Sequence, residues 1–119
     1  MGNEKNIMKM LGICQKIQTY TAGVDYQKFV ASTEITELCV FNLLQLGEFG
    51  SRLDAAFKVE HKNIPWNKIR GFRNRLVHDY ENVDLAVVWD VIENDVPALA
   101  DALERVVIQF AKSTGGAGK

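Results

Sequence analysis

Cysteine, proline and histidine are scarce in this chain, two of each among 119 residues, and each scarcity excludes something. Cys14 and Cys39 form no Cys-x-x-Cys pair and no Cys/His cluster, so the usual zinc spacings are missing and no disulfide framework is called for. Each sits in an apolar helical pattern and reads as a buried free thiol of a reducing cytoplasm. Prolines stand only at 65 and 97, so few helices need be interrupted. No apolar run reaches the roughly 18 residues that cross a bilayer, and no signal-peptide pattern opens the sequence. The expectation is a cytoplasmic protein with no membrane partner. Alternating strand patterns and Asn-Gly hairpins are absent too.

What is present is globular material: 47% of residues are hydrophobic and 24% charged. That suits one domain, since domains commonly run about 100–150 residues. The expected division is a single helical domain over residues 1–112 and a flexible Gly-rich tail over 113–119. Ile7, Met10, Cys14 and Ile17 make an apolar stripe for a first helix stopping near Gly23, followed by a turn or short helical piece at 25–29. Ser32 or Thr33 caps a second helix whose apolar positions run from Ile35 to Phe57. Gly47 and Gly50 within it suggest a bend or the close approach of another helix. Asn63 is placed to cap a third helix with Pro65 in its first turn. Asp84 opens a fourth, which Pro97 must kink or divide, with Asp95 available to cap the continuation through Leu99, Leu103, Val106 and Phe110. The predicted fold is all-α, an up-and-down bundle of four main helices with the last broken near Pro97.

Formal net charge is −1, which taken whole argues against nucleic acid. The total conceals an asymmetry. Residues 58–75 carry six basic side chains against one acid, a net of +5, whereas 79–104 carry eight acids and no Lys or Arg. A basic segment this dense suits a phosphate-facing surface, with Lys68, Arg70 and Arg75 as candidate RNA-phosphate contacts; a solvated face balanced by acidic neighbours is the plainer alternative. The acidic stretch is a candidate partner-facing surface.

The third helix presents two faces. Pro65, Ile69, Phe72, Leu76 and Tyr80 follow the spacing of a packed stripe, and Trp66, Arg70, Arg73, Asn74, Val77 and His78 lie opposite. Arg offers a planar charged fork to phosphate oxygens, and His titrates near neutrality as an acid or base. Together they suit cleavage of RNA through its 2′-hydroxyl without a metal, although a surface or interface network uses the same residues. Arg73 and His78 stand five residues apart, about 140° around an ideal helix. Either the helix loosens at His78 or two copies meet across a dimer. Trp66 and Trp89 read as core, and His61 as solvated.

Arg73-Asn-Arg-Leu-Val-His78-Asp-Tyr80 resembles the Arg-x-x-x-x-His-x-Tyr signature of the HepT-like toxins in the HEPN superfamily. Ile17-Gln-Thr-Tyr-Thr-Ala-Gly23, Leu46-Gly-Glu48, Ile64-Pro-Trp66 and Val83-Asp-Leu85 with Val88-Trp89 resemble that family in the same order, over roughly residues 5–110. The resemblance implies a HEPN-like homodimer acting as a metal-independent endoribonuclease, the toxin of a toxin–antitoxin pair, with no cofactor. By resemblance Arg73 binds phosphate and stabilises the transition state, His78 is the acid/base, and Asn74 orients the pair. Tyr80 corresponds to the position that a minimal nucleotidyltransferase antitoxin modifies with AMP. Glu48 is a candidate support for the motif arginine. A competing expectation is a non-catalytic helical module that partners a nucleotidyltransferase.

Overall fold

A computed structural model describes residues 2–117, with side chains described through residue 113. Its elements are α1 (Gly2–Thr21), α2 (Tyr26–Ala31), α3 (Thr33–Ser51), α4 (Ala55–Glu60), α5 (Trp66–His78), a 3-10 turn (Tyr80–Asn82), α6 (Leu85–Asp90), a π-helical turn (Val91–Asp95) and α7 (Val96–Ala117). No strand forms among the described residues, so the chain is all-α. The tail expected over 113–119 overlaps the end of α7, and residues 118 and 119 lie outside the described residues.

Helix α1 lies between α3 and α7, and α5 packs chiefly on α3. The core is made where these stripes meet. Ile7, Met10, Cys14 and Ile17 of α1 are buried against Cys39, Leu43 and Leu46 of α3 and Val96, Leu99, Leu103 and Val106 of α7. Each full burial of such a side chain contributes about 1.5–3 kcal/mol. Gly23 ends α1's turn at φ +73°, a conformation that costs a side chain with Cβ. Asp25 and Ser32 cap α2 and α3 by accepting from the N–H groups of Lys28 and Ile35.

Two boundaries differ from the sequence expectation, and the expected break near Pro97 takes a particular form. The second helix does not run on to Phe57: it stops at Ser51, Asp54 is extended (ψ 148°), and α4 starts anew. Leu53 turns into the core, and Asn3 of α1 ties down Asp54 at the start of α4, its Oδ1 accepting from the Asp54 N–H and its Nδ2 donating to the Asp54 carboxylate, both at 3.1 Å. Asn63 does not cap α5. Pro65 is the residue at the helix start, its carbonyl accepting from the Ile69 N–H, because buried Ile64 pins the chain just before it. The break near Pro97 is a widened turn rather than a gap. Proline donates no N–H and its ring crowds the carbonyl four residues back, so the chain winds into a π turn in which the Val96 N–H reaches Val91. Asp95 is therefore free of capping and pairs with Lys68 at 3.2 Å.

Candidate active site

Helix α5 owes its position to Gly47 and Gly50 on α3. A Cβ built on Gly47 would overlap the Arg73 Cβ and lie 2.6 Å from its Cγ, and one on Gly50 would lie 3.7 Å from Ile69. These two contacts set an antiparallel register in which Gly47 faces Arg73 and Gly50 faces Ile69. The missing side chains let α5 settle flush, with Leu76 buried and Ile69 and Phe72 half-buried beneath it.

Arg73 is clamped. Its Nε donates to Glu48 Oε1 at 2.6 Å, Nη2 pairs with the same carboxylate, and Nη1 donates to Asn74 Oδ1 at 2.9 Å. Arginine has five N–H groups, and these partners engage three of them, leaving two to meet a ligand. The pair is half-buried, which fixes the guanidinium more firmly than a surface salt bridge would. His78 is the last residue of α5 and is exposed. It does not join Arg73 within the protomer. With Asn74, Arg75, Asp79 and Asn82 it lines a cleft of about 430 Å³ that runs under Val83 to Val88. The Asp79 carboxylate accepts from Asn82 at 3.2 Å.

Tyr80 does not continue the packed stripe, because α5 ends two residues before it and the chain tightens into the 3-10 turn. Its side chain is 51% exposed. Phe41 (56%) and Val77 (51%) are exposed as well, and the α3–α5 register places Phe41 level with the end of α5. An apolar surface thus borders the Arg73 clamp. Lys68 lies on another side of α5, tied to Asp95 across a mainly apolar groove of about 540 Å³ that also touches Arg75. Arg70 donates to Asn67 at 3.3 Å. Sequence reasoning passed over Lys58 and Ser51, which a narrow cleft brings beside Trp66 and Arg70. No periodicity of a single helix signals that meeting.

Trp89 is buried against Phe29, ring centres 4.9 Å apart, whereas Trp66 is half-buried and its Nε1 donates to the His61 carbonyl at 3.0 Å. His61 is not fully solvated: its ring lies 4.5 Å from that of Phe57. Cys14 and Cys39 are buried, and burial pushes their thiols up to about 12 and about 11, so neither offers a thiolate near neutrality. Among the described residues no group of three His, Cys, Asp or Glu side chains is placed to hold a metal ion, and no helix is long and apolar enough to cross a membrane.

A family model described as "Ribonuclease HepT-like" matches residues 10–106. "Putative RNase TTE0752" of Caldanaerobacter subterraneus subsp. tengcongensis is 27% identical over 79% of this chain and 84% of its own length. "Putative RNase MJ1380" of Methanocaldococcus jannaschii is 29% identical over 73% and 80%, and "Probable ribonuclease HepT" of Thermococcus cleftensis is 29% identical over 76% and 82%. No solved structure matches.

Proposed function

Since the chain belongs to the ribonuclease HepT-like family and is an endoribonuclease, we propose that it cuts RNA at a site completed by two copies of the Arg73/His78 motif. The observation that carries this reading is the clamp on Arg73, which presents two unused N–H groups of a fixed guanidinium on a surface bordered by exposed apolar side chains. In one protomer Arg73 faces α3 while His78 faces the cleft beyond α5. A homodimer formed through Phe41 and Val77, with Tyr80 left at its edge, brings Arg73 of one copy to His78 of the partner subunit.

In the proposed reaction His78 takes the proton from a 2′-hydroxyl as that oxygen bonds to phosphorus. The bond from phosphorus to the 5′-oxygen breaks, and the imidazolium returns the proton to that oxygen. The products are a 2′,3′-cyclic phosphate and a 5′-hydroxyl, with no metal or cofactor required. Arg73 binds the phosphate and its developing charge, Asn74 and Glu48 hold Arg73 in place, and Lys68, Arg70 and Arg75 contact neighbouring phosphates. The Lys68–Asp95 pair is exposed, so it yields to a phosphate at a cost of about 1 kcal/mol or less. We assign the enzyme to the cytoplasm as the toxin of a pair whose antitoxin is a minimal nucleotidyltransferase. Tyr80 is its AMP acceptor, a role that its exposure supports.

The test is cleavage of a fluorogenic RNA in EDTA by wild type, Arg73→Ala and His78→Ala. Cleavage by wild type alone is expected. Equal cleavage by all three overturns the site, and no cleavage by wild type favours a binding module that partners the nucleotidyltransferase.

A further inference from the structure

Beside the clamp, α3, α4 and α5 enclose a cleft of about 200 Å³, less than half the size of either groove beyond α5. It is lined by Gly47 and Gly50 of α3, Lys58 of α4, and Trp66, Asn67 and Arg70 of α5, and no acid lines it. Its two cations come from separate helices, so the cleft concentrates charge that neither helix carries alone. Trp66 is a fixed wall, because its indole N–H is held by the His61 carbonyl and its ring lies 6.5 Å from that of Phe57. Arg70 is steadied by Asn67, another lining residue. Trp66, Arg70 and Arg73 fall at i, i+4 and i+7, one stripe of α5. At about 1.5 Å per residue Arg70 sits about 4.5 Å and Trp66 about 10 Å along the axis from Arg73.

We infer that this cleft is a subsite for one nucleotide of a single-stranded RNA, with its phosphate on Lys58 and Arg70 and its base against the indole of Trp66. The inference rests on Arg73 holding the scissile phosphate, which places the adjoining nucleotide over Arg70 and Trp66. A slot with one aromatic wall and two cations accepts any base, since every base has a π face. Charge recognition binds the strand and stacking orders it, so the subsite fixes register while the Arg73 clamp acts on the phosphate.

The experiment follows binding of a fluorescein-labelled 2′-O-methyl oligoribonucleotide, which cannot cyclise, by anisotropy over a range of salt. Loss of this one phosphate contact to a single strand lowers the slope of log K against log salt by about 0.7. Lys58→Gln with Arg70→Gln is expected to show that drop and a Kd raised about fivefold at about 0.1 M salt, as that slope implies. Lys16→Gln with Lys28→Gln, an equal charge change elsewhere, is expected to show neither. Trp66→Phe is expected to bind while losing the RNA-dependent quenching of tryptophan emission. Equal weakening by the two double variants, an unchanged slope for the cleft pair, or no binding by wild type overturns the subsite. Binding with the expected slopes by a wild type that cuts no RNA upholds the subsite and defeats the catalytic reading. Normal cleavage with unchanged KM by the cleft pair does the reverse.

Discussion

Replacing Gly47 with alanine tests the packing that positions the site. The new Cβ would overlap Arg73 Cβ, press on Cγ at 2.6 Å and meet Cα at 3.7 Å. These atoms are the root of the side chain and the helix backbone, so rotating a side-chain tip cannot relieve the clash, and α3 and α5 must separate. Overpacking of this kind costs about 1–3 kcal/mol, against a gain of up to about 1 kcal/mol for alanine over glycine in a helix. The expected balance is a loss of about 1 kcal/mol, or roughly 3–5 °C in Tm for a chain of this length. Gly71 supplies the control. It lies on α5 with nothing within 4 Å of its Cβ position, so Gly71→Ala keeps the whole helical gain of up to about 1 kcal/mol. Gly50→Ala falls between, because its Cβ meets the flexible Met10 Cε at 3.4 Å. Urea unfolding followed by circular dichroism ranks the three variants. Activity is the second readout: moving Arg73 by about 1 Å is expected to lower cleavage about 10²-fold. Gly47→Ala as stable and as active as wild type, with Gly71→Ala showing no gain, would refute this account of α5.

Other parts of the structure make separate predictions. Asn3→Ala removes the two hydrogen bonds by which α1 holds Asp54 at the start of α4 and is expected to cost about 1 kcal/mol; an unchanged urea midpoint would show that Asp54 finds another partner. Because burial holds Cys14 and Cys39 neutral to about 12 and about 11 while unfolded thiols ionise near pH 8.5, the unfolded chain binds fewer protons in that interval. Stability therefore falls as pH rises above about 8.5. The Cys14→Ala, Cys39→Ala double variant is expected to lose less stability over that range; an identical decline would contradict the assignment. Co-expression with a minimal nucleotidyltransferase is expected to add AMP to the peptide containing Tyr80, and Tyr80→Phe to abolish the added mass. The same mass on the Tyr80→Phe protein would exclude that tyrosine.

The sequence made the core legible because its signal is local. The Ile7, Met10, Cys14, Ile17 stripe and the Leu99, Leu103, Val106 stripe are buried as their periodicity required. The same rule failed at Phe41, which fits α3's apolar pattern yet is exposed, because the pattern does not record which side of α3 α5 covers. It failed again at Tyr80, where α5 ended short of the continued stripe. The end of α3 was illegible for a different reason: just beyond it Leu53 turns into the core and Asp54 bonds to Asn3, 51 residues earlier, contacts that no local pattern records. The clamp shows both sides of the matter. Glu48 was named from the sequence as a candidate support for the motif arginine, but the contact it makes with Arg73 depends on the register that Gly47 permits. That register also brings Lys58 and Ser51 near Trp66, a meeting of three helices with no periodic trace.

The most direct measurement of the central claim is complementation between two defective copies. Arg73→Ala and His78→Ala proteins, each purified and inactive alone, are mixed, allowed to exchange subunits and assayed on RNA in EDTA. A site built from Arg73 of one copy and His78 of the partner subunit is intact once in each mixed dimer, so cleavage is expected to return on mixing. A mixture that exchanges subunits and stays as inactive as its components would contradict the shared site.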